Sequence, residues 1–245
     1  MKYQALVLYD KIAGFGAPGY TDKEWSKLFT IAQENFVKSH YTPKGNKYQQ
    51  GFENSEKRRK DLSECLRYDD STIISASQIG VHKHGTYYDL PNDFWLAVEE
   101  EIESNIDENT CTVMTSVSLG TSVWKRIKVK PITYDEYNIQ RDNPFKRPYD
   151  NLVWRMDFYK NPAKPNPKRH ELITDGIYGI RKYMVWYIKK LNDIVVDETT
   201  PGSQVHCELD ETTHSEIVIE AVRIATGITN LEEYQVKTVE QLKTE

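Results

Sequence analysis

The residues whose types and spacing could do chemistry are few and scattered. Gly14-Phe15-Gly16-Ala17-Pro18-Gly19 spells G-x-G-x-x-G, which in a dinucleotide site joins a strand to a helix and lets the backbone approach a pyrophosphate. Here Pro18 interrupts the run, the next helix signal begins only after Thr21, and no second buried strand precedes Tyr48. A turn between helices is the expectation, and no cofactor is expected. His82 and His84 stand at i, i+2, so on a strand they share a face and could hold a metal if a third ligand came from elsewhere. Alternation equally leaves them as two solvated side chains on an outer face. No C-x-x-C or H-E-x-x-H run accompanies them, and no metal is expected.

A nucleophile pair could be drawn from His206, Cys207 beside Glu208, and His214. No glycine turn that would form an oxyanion hole lies near, and a strand end leading into a helix accounts for these residues. Asp150, Asp157 and Glu171 are carboxylates that a nuclease could use, but they carry no motif. G-x-S-x-G and Walker A runs are missing from the sequence. The chain is therefore read as a non-enzyme, with no residue assigned to catalysis, to a cofactor or to a metal.

Local structure is specified far better than any reactive site. Thr21 reads as an N-cap with Glu24 three residues on, a capping box, and Tyr20 and Trp25 flank it as a hydrophobic staple. Trp25, Leu28, Phe29, Ala32 and Phe36 then recur at helical spacing, and the helix is expected to end near Tyr41-Thr42-Pro43. A shorter helix through Tyr3, Leu6 and Val7 precedes it, and a third follows with Leu62, Cys65 and Leu66 on its buried side. From Ser71 the period becomes two. Strands are expected over 71–81, 86–90, 94–102, 111–117, 124–132, 152–159, 170–174 and 178–188. Thr133-Tyr134-Asp135-Glu136 repeats the capping signature and predicts a short helix to Ile139. Helix returns over 211–225, with Gly227 as its stop, and Asn230 caps a last one. The expected fold is α+β: terminal helices packing together, with a mainly antiparallel β portion inserted between them. The expected regions are 1–70 helical, 71–210 β-rich and 211–245 helical.

Composition narrows the class further. Of 245 residues 38% are hydrophobic and 28% charged, the balance of a soluble protein with a real core. Aromatics reach 11%, led by 16 tyrosines, a residue suited to interfaces because it is both apolar and hydrogen-bonding. The net charge of −5 argues against a grip on nucleic acid by bulk charge. Cys65, Cys111 and Cys207 are odd in number and far apart, which fits free thiols in a reducing compartment. No apolar run approaches the ~20 residues of a membrane span, and no signal-peptide layout is present, so an intracellularly made protein without a membrane partner is expected.

Basic clusters recur at Lys57–Lys60, Lys125–Lys130, Arg141–Arg147, Lys164–Arg169, and Arg181-Lys182 with Lys189-Lys190. They fit either an ordinary mixed-charge surface or rim contacts between subunits. Two are also stiff: Asn143–Pro148, and the segment with Pro162, Pro165 and Pro167. Prolines fix φ and remove donors, and Phe145 and Tyr149 add apolar anchors. At least one of these two segments is expected to touch a neighbouring subunit or ring.

The chain also resembles a known family. The residues that carry the likeness begin with Ala17-Pro18-Gly19-Tyr20-Thr21-Asp22-Lys23-Glu24 and Ala32-Gln33-Glu34-Asn35-Phe36-Val37. Gly51-Phe52-Glu53, Lys57-Arg58, Asp61-Leu62, Ile132–Tyr137, Asn143–Pro148 and Val153-Trp154-Arg155 continue it. Glu208-Leu209-Asp210, His214–Val218 and Ala221-Val222 complete it. In this order they are similar to the ring proteins that build the tail barrel below the portal of crAss-like, short-tailed bacteriophages. More distantly they resemble the head-to-tail adaptors of other short-tailed phages. Where that pattern leads one to expect a proline near Leu209, this chain has Asp210, which alters a cap and not the fold. The resemblance implies a structural virion protein of the neck or tail, made in the host cytoplasm. It implies a homo-oligomeric ring, a dodecamer to match a portal, that contacts the portal and other rings and surrounds a channel for genome and protein ejection. DNA would be only transiting cargo. A host-surface-binding tail module and a phage nuclease are the alternative readings.

Overall fold

Helix α2 (Asp22–Tyr41) begins at the residue after Thr21, whose capping box with Glu24 is formed: the Glu24 carboxylate accepts the Thr21 N–H at 2.7 Å and its hydroxyl at 2.8 Å. Trp25, Leu28, Phe29, Ala32, Phe36 and Val37 are its buried face, as the spacing requires. The computed structural model describes residues 1–13, 19–42, 55–70, 80–105, 124–149, 151–158, 168–177, 179–197 and 202–229. It divides into two units, Met1–Leu66 with Lys190–Glu245, and Arg67–Lys189.

The first unit is helical and draws on both ends of the sequence. Helix α1 (Lys2–Ala13), α2 and α3 (Glu56–Leu62) come from one end, and α5 (His214–Thr229) from the other. Helix α5 packs on α1 and α2, burying Ile217, Val218, Ala221, Val222 and Ala225, and the Tyr20 hydroxyl donates to the Ala225 carbonyl at 3.0 Å. A second tie is built from a polar stripe on α2. Ser26 and Thr30 accept the N–H groups of Val196 (2.9 Å) and Ile194 (3.1 Å), and the Gln33 amide donates to the Asn192 carbonyl at 3.2 Å. Four helical residues rise about 6 Å and two extended residues about 6.6 Å, so the two spacings stay in step. An extended segment, 192–196, is thereby held along α2 with the N–H groups of Ile194 and Val196 satisfied.

The second unit is a seven-stranded sheet in the order β1-β7-β3-β4-β5-β6-β2. Its strands are β1 (Leu66–Asp69), β2 (Gly85–Asp89), β3 (Phe94–Asn105), β4 (Trp124–Pro131), β5 (Leu152–Phe158), β6 (Arg169–Ile173) and β7 (Gly179–Lys189). Pairing is antiparallel for β2–β6, β5–β6, β3–β4 and β3–β7, and parallel for β4–β5. The sheet curls: the Tyr88 ring on β2 lies 5.2 Å from Tyr183 on β7 although the two strands are far apart in the order. Bulges in the β3–β7 ladder between Phe94 and Leu96, Ala97 and Glu99, and Glu103 and Ser104 supply bending. Inside the curl lies a core that includes Tyr88, Ile102, Ile127, Val153, Leu172, Tyr183 and Val185. On the other face Trp154, Met156 and Ile173 pack with Ile132 and Tyr137. Tyr137 belongs to α4 (Tyr134–Gln140), whose Thr133–Glu136 capping box is formed.

The α+β expectation, terminal helices together around a mainly antiparallel insert, agrees with this structure. Three local expectations differ. Leu66 does not end the buried side of α3; a 3₁₀ turn at Ser63–Cys65 breaks the helical phase, and Leu66 opens β1 with 38% exposure. Gly227 does not stop α5, which runs on to Thr229, because a glycine without positive φ costs a helix only about 1 kcal/mol. His82 and His84 lie in a turn and not on a strand. The strand expected over 111–117, most of that over 71–81, and the helix after Asn230 fall outside the described residues.

Candidate functional site

The turn that carries His82 and His84 is closed by Gly80 N–H to the Gly85 carbonyl (2.8 Å) and Gly85 N–H to the His82 carbonyl (2.9 Å). His84 takes φ 60°, a left-handed conformation that a strand cannot contain. The two rings then go separate ways. His82 Nδ1 donates to Glu171 Oε2 at 2.8 Å, and the His82 N–H reaches Oε1 of the same carboxylate at 2.8 Å. The His84 ring lies against Gly176, whose φ is +86°. They share no ligand position, and among the described residues no three His, Cys, Asp or Glu side chains gather as a metal cage.

Glu171 is fully buried and pins this turn. Asp157 sits beside His170, and alternation along β6 sends His170 and Glu171 to opposite faces, so the sheet separates these two carboxylates. Asp150, residues 14–18 of the glycine-rich run and Cys111 lie outside the described residues. Cys65 and Cys207 are free thiols. Burial raises the Cys207 pKa, the reverse of what a nucleophile needs, and His214 Nε2 lies 3.2 Å from the Leu209 carbonyl.

Inside the curled sheet is a polar cluster that no sequence motif announces. Glu100 on β3, Arg155 on β5, His170 on β6 and Tyr183 on β7 converge there. The Arg155 guanidinium lies 3.1 Å from Glu100 Oε2, 2.6 Å from Asp157 Oδ1 and 2.9 Å from His170 Nε2. Since Arg155 can only donate, Nε2 accepts and the imidazole proton is on Nδ1, which faces the Tyr183 hydroxyl (2.7 Å) and Glu100 Oε1 (3.2 Å). Tyr183 donates to the Glu100 carboxylate. Burial by itself raises the Glu100 carboxyl, but the His170 hydrogen bond and the Arg155 charge outweigh it and hold the pKa low. For His170, burial and then the Arg155 charge outweigh the pull of Glu100, and its pKa is lowered. The cluster is a neutral imidazole and a neutralised carboxylate whose lone pairs are occupied within the chain. Glu100, His170 and Tyr183 are 8%, 3% and 2% exposed, so the group is closed to substrate and serves to lock four strands together.

The basic clusters separate once their partners are known. Lys57 pairs with Glu216 at 2.6 Å, Arg126 with Glu101 at 3.8 Å, Arg181 with Glu103 at 3.7 Å, and Lys182 with Asp70. Lys168 donates to the Phe94 carbonyl at 2.7 Å, and Arg169 lies 3.3 Å from Asp89 and over the Tyr87 ring. These members of the clusters are compensated within the chain. The proline-rich tip, residues 161–167, lies outside the described residues.

In the 141–149 segment Arg141 pairs with Asp142 at 3.4 Å. Lys146 and Arg147 have no ion pair among the described residues. The Asn143 side chain accepts the Phe145 N–H at 3.0 Å, and its carbonyl accepts Lys146 and Arg147 N–H at 3.1 and 3.0 Å. That turn holds Phe145 outward at 91% exposure. Beside it opens a cleft of about 820 Å³ between this segment, the 83–84 turn and residues 173–177, floored by Trp154 and Tyr137. Tyr149 and Ile177 on these segments, Val81 in the turn before His82, and Tyr134 and Ile139 on α4 are also exposed. Exposed apolar groups of this kind are what an interaction surface presents.

Similarity to known proteins runs along nearly the whole chain. Residues 4–236 match the family described as phage tail ring protein 3/4. Ring protein 4/5 of Bacteroides phage crAss001 is 32% identical over 230 residues, covering 89% of this chain and 87% of that protein. Ring protein 3 of the same phage is 26% identical over 218 residues, covering 85% and 86%. With an α+β fold and a match spanning both of its units, this chain belongs to the phage tail ring protein 3/4 family.

Proposed function

We propose that the protein is a structural subunit of the virion that forms a homo-oligomeric ring in the neck or tail barrel below the portal. The family match over residues 4–236 carries this reading. The exposed Phe145 surface supports it, since a ring subunit must present apolar area to its neighbours. A subunit contact made by two different patches closes into a ring when the rotation closes, and twelvefold symmetry would match a portal. The ring stacks on other ring proteins around a channel, with DNA as passing cargo. A net charge of −5 suits that role, because a basic wall would hold the DNA it should release. An isolated subunit can stay monomeric until a neighbouring ring templates it. Imaging of intact particles tests the reading: density for this chain as a closed ring between portal and tail tip is expected. Its location on a fibre, on the capsid, or as a single copy would overturn it.

A further inference from the structure

We infer that the cleft beside Phe145 takes the outer face of α5 from a second copy of this chain, making the head-to-tail contact of the ring; this rests on the ring reading above. The cleft side mixes apolar groups with three basic residues, Lys83, Arg141 and Arg147, and two carboxylates, Asp142 and Asp175. Phe145 projects at 91% exposure, Ile177 is 55% exposed, and Lys83, Lys146 and Arg147 have no ion pair among the described residues.

The α5 side has a carboxylate, Glu211, in the turn that leads into it and its own uncovered apolar group, while Glu216 and Glu220 on the helix are paired with Lys57 and Arg223. From Leu191 to Val222 the sequence has no lysine or arginine, while acidic residues recur. Glu211 is exposed in the 3₁₀ turn Glu211–Thr213 that leads into α5, and Ser215 and Ile219, four residues apart, are exposed on the helix itself. An acidic residue at a helix start is explained by the dipole alone. That does not explain Ile219, an isoleucine 52% exposed on a helix whose opposite face is fully buried. Stacking Ile219 against Phe145 and Ile177 removes three apolar side chains from water, and sets Glu211 toward Lys146 and Arg147. A preset turn loses little entropy on docking.

A nucleic-acid occupant fits less well. Asp142 and Asp175 line the same cleft, and a phosphate backbone calls for continuous positive charge, not carboxylates interleaved with an exposed phenylalanine.

The test uses the full chain in assembled phage particles. With benzoylphenylalanine in place of Phe145, irradiation should join one copy to a second through a peptide containing Ile219. Adducts elsewhere in a second copy would leave the ring reading standing and overturn this pairing. Adducts to another virion protein or to DNA, or no adduct at all, would overturn the pairing too. If the particles also hold a single copy of the chain, the ring reading falls with it. In parallel, Arg147→Glu should lower incorporation into particles about tenfold, and adding Glu211→Arg to the same chain should restore it. Normal incorporation of the single variant, or no rescue while both variants melt like the wild type, would sink the proposal.

Discussion

Trp25→Ala is the substitution that most directly probes the helical unit. The indole is 0% exposed and contacts Tyr9, Tyr20 and Phe29 at ring separations of 5.9, 5.6 and 5.6 Å. A buried tryptophan removes roughly 150–250 Å² from water, worth about 25 cal/mol per Å², or ~4–6 kcal/mol before any correction for a compact unfolded chain. Alanine keeps a small part of that area and leaves a cavity among three rings. In the other direction, Trp25 Nε1 is buried without a hydrogen-bond partner among the described residues, and deleting it relieves about 1 kcal/mol. The expected net loss is ~3–5 kcal/mol, a fall of roughly 10 °C in melting temperature for a chain this size. Trp25→Phe keeps most of the packing and removes the orphan donor, so it should cost less than ~1.5 kcal/mol. Thermal melts by circular dichroism on the pair decide the matter. If Trp25→Ala melts within ~2 °C of wild type, the aromatic cluster is not the core of this unit. If Phe is as damaging as Ala, the indole N–H has a partner and the accounting above is wrong.

Other expectations are sharp enough to check. Thr21→Ala removes the hydroxyl from the α2 capping box and should cost ~1 kcal/mol by thermal or urea melts; a neutral result would mean that Glu24 and the backbone cap the helix unaided. A Cβ at Gly80 would strike the Glu171 carboxylate and come within 2.7 Å of the Gly85 backbone, whereas one at Gly179 meets nothing within 4 Å. Gly80→Ala should therefore cost more than ~2 kcal/mol, and Gly179→Ala should be neutral or slightly stabilising; equal melts for the two would refute the packed turn. Because the His170 pKa is lowered on folding, the unfolded chain takes up that proton first as pH falls. Its contribution is fully present above the unfolded value of about 6.5 and is lost progressively below it. Melting temperature should decline from pH 7 to 5, and less so in His170→Gln, with His40, also lowered by burial, accounting for a remaining share. An unchanged slope in His170→Gln would contradict this.

What could be read from the sequence was whatever neighbours in the chain decide. The capping boxes at Thr21 and Thr133 formed, since each needs only a threonine and a glutamate three residues apart. Strands β2 to β7 were legible because their alternation records which face is buried. Distant partners were not legible. Ser26, Thr30 and Gln33 look like any polar helix face until residues 192–196, more than 150 positions away, supply the groups they bond. Glu100, Arg155, His170 and Tyr183 come from four strands and have no spacing in common. His82 and His84 misled because i, i+2 spacing means a shared face only on a strand, and the glycines at 80 and 85 make a turn there instead. The 141–149 surface was half legible: proline, charge and aromatic content marked it, but the turn that holds Phe145 outward depends on the Asn143 hydrogen bonds.

The placement of the buried charges has a physical rationale of its own. A curled sheet with strands β7 and β2 facing across its interior could close in several registers, since Tyr, Val, Ile and Leu side chains fill such a core with little positional preference. Glu100 reached by Arg155, His170 and Tyr183 at once allows far fewer arrangements. A slip of one residue on any of the four strands would turn one member outward and leave the others buried and unpaired, at about 3–5 kcal/mol. The cluster need not add net stability to be retained. It makes wrong closures expensive, and in the ring proposed above an error in one copy's surface would be carried into every contact that the copy makes.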